Sequence, residues 1–246
     1  MQLDKLIEWR YWKAFTEPDI WQFLWTGLQA TLEMAAVAIV ASLILGTGLA
    51  FARIGRNPLS HYPAAAFIEI VRSLPVLYLI FFAYFGGARF GLQDPQTAAT
   101  LALTLYTAAV NAEIIRAGIL SIDRGEIEAA RSLGLSHLQA MRHVVVPQAF
   151  RRIVPPQVGQ LVTLVKDTSL AYIVGTTELM QRIKVLYSTF EIGTIQGLVV
   201  AALIYFSINY TLSLLSRRLE ERAPASAGTQ LGTKPGVATA IRPASI

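Results

Sequence analysis

The sequence predicts an all-α, polytopic membrane protein with five transmembrane helices, and three observations support this class. The 246 residues are 54% hydrophobic and only 15% charged, whereas soluble domains average about 25% charged residues. Met34–Ala52 holds no charged residue, and its length is what a helix needs to cross a bilayer. Most Lys and Arg residues lie outside such apolar stretches.

The apolar stretches give the spans in order. The first, Met34–Ala52, is expected to begin near Thr26, and its aromatic anchors at one membrane interface are Trp21, Phe23 and Trp25. The other four are predicted at Pro63–Gly87, Thr97–Ile122, Pro156–Leu179 and Gly193–Leu215. The fourth span is the weakest, because Lys166 and Asp167 lie in its middle.

The loop charges predict the orientation. With five crossings, one side of the membrane holds six cationic residues: Lys5, Arg10, Lys13, Arg89, Arg182 and Lys184. The other side holds twelve: Arg53, Arg56, Arg124, Arg131, Arg142, Arg151, Arg152, Arg217, Arg218, Arg222, Lys234 and Arg242. Without the fourth crossing, the Lys and Arg residues would be divided almost evenly between the two sides of the membrane. Because Lys and Arg favour the cytoplasmic side, we expect the N-terminus outside and the C-terminus in the cytoplasm.

The composition also divides the chain into segments. Residues 1–25 are charged and aromatic, which predicts an N-terminal amphipathic segment at the outer interface. Residues 26–220 form the transmembrane domain, and the longest loop within it is 122–155. Residues 221–246 are rich in Pro, Gly, Ala, Ser and Thr, so we expect a disordered cytoplasmic tail.

Several function classes are excluded by what the sequence lacks. It has no cysteine, and its three His residues have no metal-ligand spacing. No convergent nucleophile, base or carboxylate cluster indicates catalysis. The excess of Lys and Arg over Asp and Glu is explained by the cations that membrane proteins keep on their cytoplasmic side, rather than by nucleic-acid binding. We therefore predict no catalytic residue, no metal site and no cofactor.

The loop 122–155 carries the strongest functional signal. Its apolar residues recur at helical spacing, and Gly134 interrupts the pattern, which predicts two short helices joined by a sharp turn. Pro147 is expected to end the second helix or begin the next segment. A loop that forms its own helices is usually functional, although a solvated interfacial helix is the simpler alternative.

This loop resembles the EAA loop of bacterial ABC-importer permeases. Glu128-Ala129-Ala130, Gly134 and Val144–Pro147 match the family's spacing without gaps, with Val in place of Ile and Leu. Other segments are similar to the polar-amino-acid subfamily of the histidine, glutamine and glutamate type. They are Arg72–Pro75, Glu113–Ile119, Pro147–Arg151 and Lys166–Leu170. The resemblance covers roughly residues 30–220.

The resemblance implies a type I ABC-importer transmembrane fold and a set of partners. Such permeases pair with an identical or homologous permease subunit, and an external amino-acid-binding protein delivers the substrate. The EAA loop docks into a cytoplasmic ABC ATPase dimer, which assigns coupling to Glu128, Ala129, Ala130, Gly134 and Pro147. The chain has no GxxxxGK[ST] phosphate loop, so the ATPase must be a separate subunit.

Charged residues inside the spans are functional candidates by default, because each costs about 2.5–3.5 kcal/mol to insert. Glu69 with Arg72 and Glu113 with Arg116 are three residues apart, so each pair can neutralise itself on one helix face. Structural pairing is the favoured interpretation of both pairs.

Lys166 and Asp167 are adjacent and point about 100° apart on a helix. They need a partner on another helix or a substrate, and a zwitterionic amino acid is complementary to both. An interhelical salt bridge is the alternative. The resemblance favours a substrate pathway lined by Lys166, Asp167, Thr168 and Ser169, to which we add Glu113 and Arg72.

The predicted function is therefore the permease subunit of an ATP-driven importer in the cell inner membrane. It would move a polar amino acid, such as glutamine or glutamate, by alternating access. An ion-coupled secondary transporter without an ATPase and a membrane-embedded enzyme are the alternatives. Five spans without a repeat argue against the first. The amino acid, and whether the partner permease is identical, stay open.

Overall fold

The computed structural model describes residues 8–189 and 192–222, with side chains in the last helix described as far as Leu214. The described part is built from helices: α1 (Pro18–Ile54), α2 (Pro58–Ser73), α3 (Val76–Phe81), α4 (Pro95–Leu120), α5 (Arg124–Ser132), α6 (His137–Ala140), α7 (Val146–Asp167), α8 (Leu179–Thr189) and α9 (Thr194–Arg222). Two π-helical turns, Phe82–Gly86 and Met141–Val145, follow α3 and α6. Short 3-10 helices occupy Trp9–Tyr11, Lys13–Thr16, Ala88–Phe90 and Thr168–Val174.

The first helix is longer than the sequence predicts. It begins at Pro18 rather than near Thr26, because Pro18 stands at a favourable first helical position after the extended Glu17. The expected boundary between residues 25 and 26 therefore lies inside α1. Within the described residues 8–17, the segment before α1 forms two short 3-10 helices. Residues 223–246, most of the predicted tail, lie outside the described residues.

The second predicted span is broken rather than continuous. Helix α2 and the segment Val76–Phe90 meet at 106°. The cause is Pro75, which disfavours helical geometry at the residue before it, and Leu74 is accordingly extended with ψ 137°. The break leaves Arg72 and Ser73 at the end of α2 exposed.

Helices α1 and α4 form the centre of the fold. A Cβ atom built on Gly46 would lie 2.8 Å from both the Ala108 carbonyl oxygen and the Asn111 Cβ. This close approach allows the Asn111 side-chain amide to donate to the Ser42 hydroxyl at 3.2 Å. Gly48, two residues on, has no atom within 4 Å of its built Cβ. Gly46 and the buried Ala50 therefore lie on the face of α1 that packs against its neighbours, whereas Gly48 does not.

A second contact region joins α8 to α1 and α9. The buried Glu178 carboxylate accepts from the backbone N–H groups of Met180 and Gln181 and from the Tyr205 hydroxyl at 3.1 Å. The Leu179 N–H donates to the Thr31 hydroxyl at 3.1 Å. Because a buried carboxylate is costly without partners, these bonds hold the first turn of α8 against two long helices.

Helix α4 begins outside the predicted span, where Asp94 caps it. The Asp94 carboxylate accepts from the Thr97 hydroxyl and from its backbone N–H at 2.8 Å. These two hydrogen bonds stabilise the charged form and lower the pKa of Asp94. Asp94 also precedes Pro95, the usual order at a helix start.

Among the described residues, α1, α4 and the part Thr194–Leu214 of α9 are each long and apolar enough to cross a membrane. The bent pair of α2 and the following helix passes the same test as one span. Large apolar side chains remain exposed on the outer face of α1, among them Val37, Val40 and Ile44. Such a surface is stable when lipid or another subunit covers it.

Candidate functional site

The predicted hairpin is present and its turn is made by Gly134. This residue has φ +87°, a left-handed conformation that glycine adopts without a Cβ penalty. The Gly134 N–H donates to the Arg131 carbonyl at 3.0 Å and the Leu135 N–H to the Ala130 carbonyl at 3.3 Å. This pair of bonds is the Schellman arrangement that ends a helix at a glycine. Gly134 therefore sets the angle between α5 and α6.

Side chains cap both hairpin helices at their N-termini. The Asp123 carboxylate accepts from the Gly125 N–H at 2.7 Å. At α6, Ser136 and Gln139 form a reciprocal capping box. Helices as short as these are unstable alone, so the caps and the packing beneath them maintain the hairpin.

The hairpin is attached by one face. Ile127 packs on a small core of Ile122, Val145 and Ala149, and the Gln148 amide donates to Glu126 at 3.2 Å. Through this bond the Glu126 carboxylate ties α5 to α7. Arg152 of α7 also donates to the hydroxyl of Ser121 at 3.0 Å, which fixes the end of α4.

The opposite face of the hairpin is exposed. Leu133 and Leu138 expose 84% and 78% of their surface. Of the five predicted coupling residues, Glu128, Ala129, Gly134 and Pro147 are exposed, whereas Ala130 is buried against the rest of the chain. Apolar side chains left this open on a polar hairpin are typical of an interaction surface.

Pro147 begins a helix rather than ending one. It stands in the first turn of α7, which then continues through Pro155 and Pro156 to Asp167. The helix therefore begins ten residues before Pro156, where the fourth span is predicted to start. Interior prolines usually end a helix, yet here the helix continues because α4 and α9 pack along it.

The predicted ion pair between Glu69 and Arg72 is not formed. Glu69 instead accepts from Arg53 at 2.8 Å. The same guanidinium donates to Glu113 of α4 at 3.0 Å, and Glu113 also accepts from Arg116, as the sequence predicts. Arg53 joins α1, α2 and α4 because its planar fork can address two carboxylates at once.

Sequence reasoning missed the role of Arg53. In the sequence, Arg53 follows the first charge-free stretch directly, so it is assigned to the loop cations on one side of the membrane. Its partners are sixteen and sixty residues away, so spacing along one helix carries no signal for them. The only hint is its position at the end of a span on the same side as both glutamates.

The four central pathway candidates lie together where α7 changes to the 3-10 helix Thr168–Val174. Lys166 is exposed and Asp167 is partly buried. Neither makes a salt bridge or a hydrogen bond through its side chain with any described residue. The hydroxyl of the buried Thr168 donates to the Val165 carbonyl and that of Ser169 to the Lys166 carbonyl, both at 2.7 Å.

The two added candidates, Glu113 and Arg72, belong to a different region. Glu113 lies in the Arg53 ion-pair network, and Arg72 contributes positive potential to it. No hydrogen bond or ion pair joins either of them to Lys166 or Asp167. Within the described residues no group of three His, Cys, Asp or Glu side chains is arranged to hold a metal ion.

The comparisons with known proteins identify the family. Residues 23–223 match the model of the binding-protein-dependent transport system inner membrane component. The chain belongs to this family. It is 42% identical over 203 residues to the probable glutamine ABC transporter permease protein GlnP of Bacillus subtilis (strain 168), covering 81% of this chain and 93% of that one. It is 34% identical over 213 residues to the glutamine transport system permease protein GlnP of Escherichia coli (strain K12), covering 82% and 96%.

Solved structures agree with this assignment. One described as the crystal structure of an amino acid ABC transporter with histidines has a TM-score of 0.77 and 31% identity, covering 82% of this chain and 94% of that one. An inward-facing MetNI methionine ABC transporter, at 23% identity, shares the fold with a TM-score of 0.65. The predicted type I fold and the resemblance to ABC permeases are confirmed, and the interpretation as a secondary transporter is not supported. The chain is a multi-pass transport component of the inner membrane.

Proposed function

We propose that this chain is one permease subunit of an ATP-driven importer for a polar amino acid such as glutamine or glutamate. The observation that carries this is the exposed hairpin around Gly134 on a permease fold whose relatives include glutamine permeases. A second permease, identical or homologous, completes the translocation path. An external binding protein delivers the amino acid, and a separate ABC ATPase dimer supplies the energy.

The proposed topology has five crossings. They are α1, the broken pair of α2 and α3, α4, α7 with its 3-10 extension, and α9. From Pro156 to Asp167, α7 adds about 18 Å at 1.5 Å per residue, and the 3-10 helix Thr168–Val174 adds about 14 Å at 2.0 Å per residue. Together they are about as long as the hydrocarbon core is thick. With this crossing the Lys and Arg excess lies on the hairpin side, which we assign to the cytoplasm together with the C-terminus.

The proposed mechanism is alternating access driven from the hairpin. ATP closes the ATPase dimer, and the exposed face around Glu128 and Ala129 transmits that movement to α4 and α7. The hairpin can do so because the Ile127 cluster joins its inner face to Ile119 of α4 and Ala149 of α7, and the Gln148–Glu126 bond joins it to α7 again. The permease then opens outward and accepts the amino acid, and hydrolysis returns it to the inward-facing state.

We assign the substrate path to the junction of α7 and the 3-10 helix. Lys166 and Asp167 have no salt-bridge partner among the described residues, so both charges are available to a zwitterion. The α-carboxylate would bind Lys166 and the α-ammonium Asp167. The hydroxyls of Thr168 and Ser169 donate to backbone carbonyls, so they contribute acceptor oxygens and local shape.

Residues 8–17 are proposed to lie at the outer interface. Trp21 donates its indole N–H to the Phe15 carbonyl at 2.8 Å, which folds this segment back on the start of α1. Trp9 and Trp25 are exposed, and tryptophan favours the membrane–water boundary. Lipid is therefore a partner of this segment.

The test is uptake by the reconstituted complex. The chain is purified with its ABC ATPase, placed in vesicles loaded with ATP and supplied with an amino-acid-binding protein. Labelled glutamine, glutamate, arginine and a neutral apolar amino acid are supplied outside with the binding protein. ATP-dependent accumulation of a polar amino acid supports the proposal. Accumulation that follows an ion gradient and needs no ATP would overturn it.

A further inference from the structure

A cleft of about 640 Å³ lies between the turn after α1 and the hairpin. Its lining is Arg56, Arg124, Ile127, Glu128, Arg131 and His137. Three guanidinium groups thus face one carboxylate, and all three arginines are exposed. The cleft combines a defined volume with an excess of positive charge.

None of the three arginines is neutralised by the described part of the chain. Arg56, Arg124 and Arg131 make no ion pair within 4 Å and no side-chain hydrogen bond there. This contrasts with Arg53, three residues before Arg56, which binds two carboxylates. Three like charges with a single carboxylate, Glu128, among them repel one another, so an anion that enters the cleft is stabilised by the remaining positive excess.

The surroundings of Arg56 favour a membrane lipid as the source of that anion. Arg56 follows the end of α1, a helix apolar enough to span the membrane. Leu59 and Tyr62 come next, in the first turns of α2, and both expose their apolar side chains. A basic residue flanked by exposed Leu and Tyr is typical of the level of the lipid headgroups.

We infer that this cleft binds the phosphodiester headgroup of an anionic phospholipid of the cytoplasmic leaflet. Guanidinium groups suit this ligand, because their fork geometry matches phosphate oxygens. The acyl chains would extend past Leu59 and Tyr62 into the bilayer. Because the cleft includes hairpin residues, the bound lipid links the membrane surface to the segment that we propose to contact the ATPase.

Binding by the full chain in uncharged detergent tests the site. The chain is titrated with dioctanoyl phosphatidylglycerol, dioctanoyl phosphatidylcholine and inorganic phosphate, and binding is read by thermophoresis. We expect phosphatidylglycerol to bind, phosphatidylcholine to bind much more weakly, and phosphate not to compete at equal concentration. Equal binding of both lipids would overturn the inference, and phosphate that competes equally would overturn the lipid as the source.

Variants locate the binding. Each arginine near a membrane surface contributes about fivefold, so Arg56→Gln, Arg124→Gln and Arg131→Gln together should weaken phosphatidylglycerol binding by about 100-fold. Arg142→Gln is the matched control, since Arg142 is an exposed cation of the same hairpin region that does not line the cleft. It should bind like the wild type. Equal losses in both variants would mean non-specific attraction and overturn the site.

Two further measurements distinguish a lipid site from an unfolded hairpin and from an ATPase contact. Arg56→Gln alone lies outside the hairpin helices, so a fivefold loss there cannot be caused by an unfolded hairpin. If the cleft instead receives acidic residues of the ATPase, the triple variant loses ATPase association while phosphatidylglycerol binding is unchanged. That result would overturn the inference. The lipid inference rests on the cytoplasmic orientation given under the proposed function. Because lipid binding in detergent is measured without transport, failure of the lipid site is distinguishable from failure of that function.

Discussion

Arg53 and Glu113 meet at 3.0 Å and join the end of α1 to α4 across sixty residues of sequence. Only 17% of the Arg53 side chain is exposed, and 21% of that of Glu113. The same guanidinium also bonds Glu69, whose side chain is 67% exposed. The partly buried bond should therefore contribute more to stability than the exposed one, because water screens the latter.

Replacing Arg53 should destabilise the permease measurably. Arg53→Gln removes a charged hydrogen bond to Glu113, worth about 1.5–3 kcal/mol. Arg53→Lys should recover only part of this, because an ammonium lacks the fork that addresses two carboxylates. The measurement is thermal unfolding of the detergent-solubilised chain.

Glu69→Gln is the matched control for this network. Its bond to Arg53 is exposed, so the expected loss is about 0–1 kcal/mol. A double-mutant cycle of Arg53→Gln with Glu113→Gln should show coupling, and the cycle with Glu69→Gln should show little. The assignment fails if the two cycles give the same coupling energy.

The network also shows where prediction from sequence ends. The turn at Gly134 and the short helices on either side of it follow from local spacing, and both appear in the structure. The break at Pro75 is likewise local, although the sequence suggested a continuous span. The partners of Arg53 depend on how three helices pack, and no spacing within one helix encodes that.

The helix ends also differ from the predicted span ends. The start of α1 at Pro18 was missed because Glu17 and Asp19 made the region look polar. Likewise, α7 begins at Val146, ten residues before the predicted start of the fourth span. In both cases hydropathy marks the part of a helix that lies in lipid, whereas the helix itself extends beyond it.

Gly46 and Gly48 should respond oppositely to alanine. A Cβ at Gly46 meets the Ala108 carbonyl oxygen and Asn111 at 2.8 Å, and such overpacking costs about 1–3 kcal/mol. A Cβ at Gly48 meets open space, so Gly48→Ala should be neutral or stabilise the helix by about 0.5–1 kcal/mol. Unfolding of both variants in the same detergent checks this. Equal effects would contradict the close packing of α1 on α4.

Asp94 should make stability depend on pH near the start of α4. Its pKa is lowered in the folded state, so its contribution is present above the unfolded pKa near 3.8 and is lost as pH falls through the folded value. Asp94→Ala should cost about 1 kcal/mol at neutral pH. Asp94→Asn keeps the cap without the charge, so its unfolding should lack this acid dependence. An unchanged acid profile in Asp94→Asn would refute the assignment.

Gly134→Ala should weaken coupling to the ATPase more than it weakens the fold. A Cβ at φ +87° costs about 1–2 kcal/mol, which changes the angle between α5 and α6. Gly134→Asn tolerates this geometry better and should retain more ATPase association. Co-purification with the ATPase and binding-protein-stimulated ATP hydrolysis are the two measurements.

Gly91→Ala is the control for backbone strain. Gly91 has φ +84° and open space around its built Cβ, like Gly134, but it precedes α4 rather than lying in the hairpin. Its alanine variant should show a similar loss of stability with normal ATPase association. Loss of association in both variants would show that instability, not hairpin geometry, is responsible.

Asp167→Asn should impair uptake while leaving the complex assembled. Asp167 has no hydrogen bond or salt bridge through its side chain among the described residues, so removing its charge breaks no internal bond and should leave the unfolding temperature nearly unchanged. If it binds the substrate ammonium, loss of a charged hydrogen bond of about 1.5–3 kcal/mol reduces uptake by about 10- to 150-fold. Asp167→Glu keeps the charge and should retain part of the activity. Two measurements decide between a substrate-binding and a structural role: uptake of labelled glutamine into ATP-loaded vesicles, and the amount of ATPase that co-purifies. Normal uptake by Asp167→Asn would remove this residue from the substrate path. Loss of the co-purified ATPase would instead make its role structural.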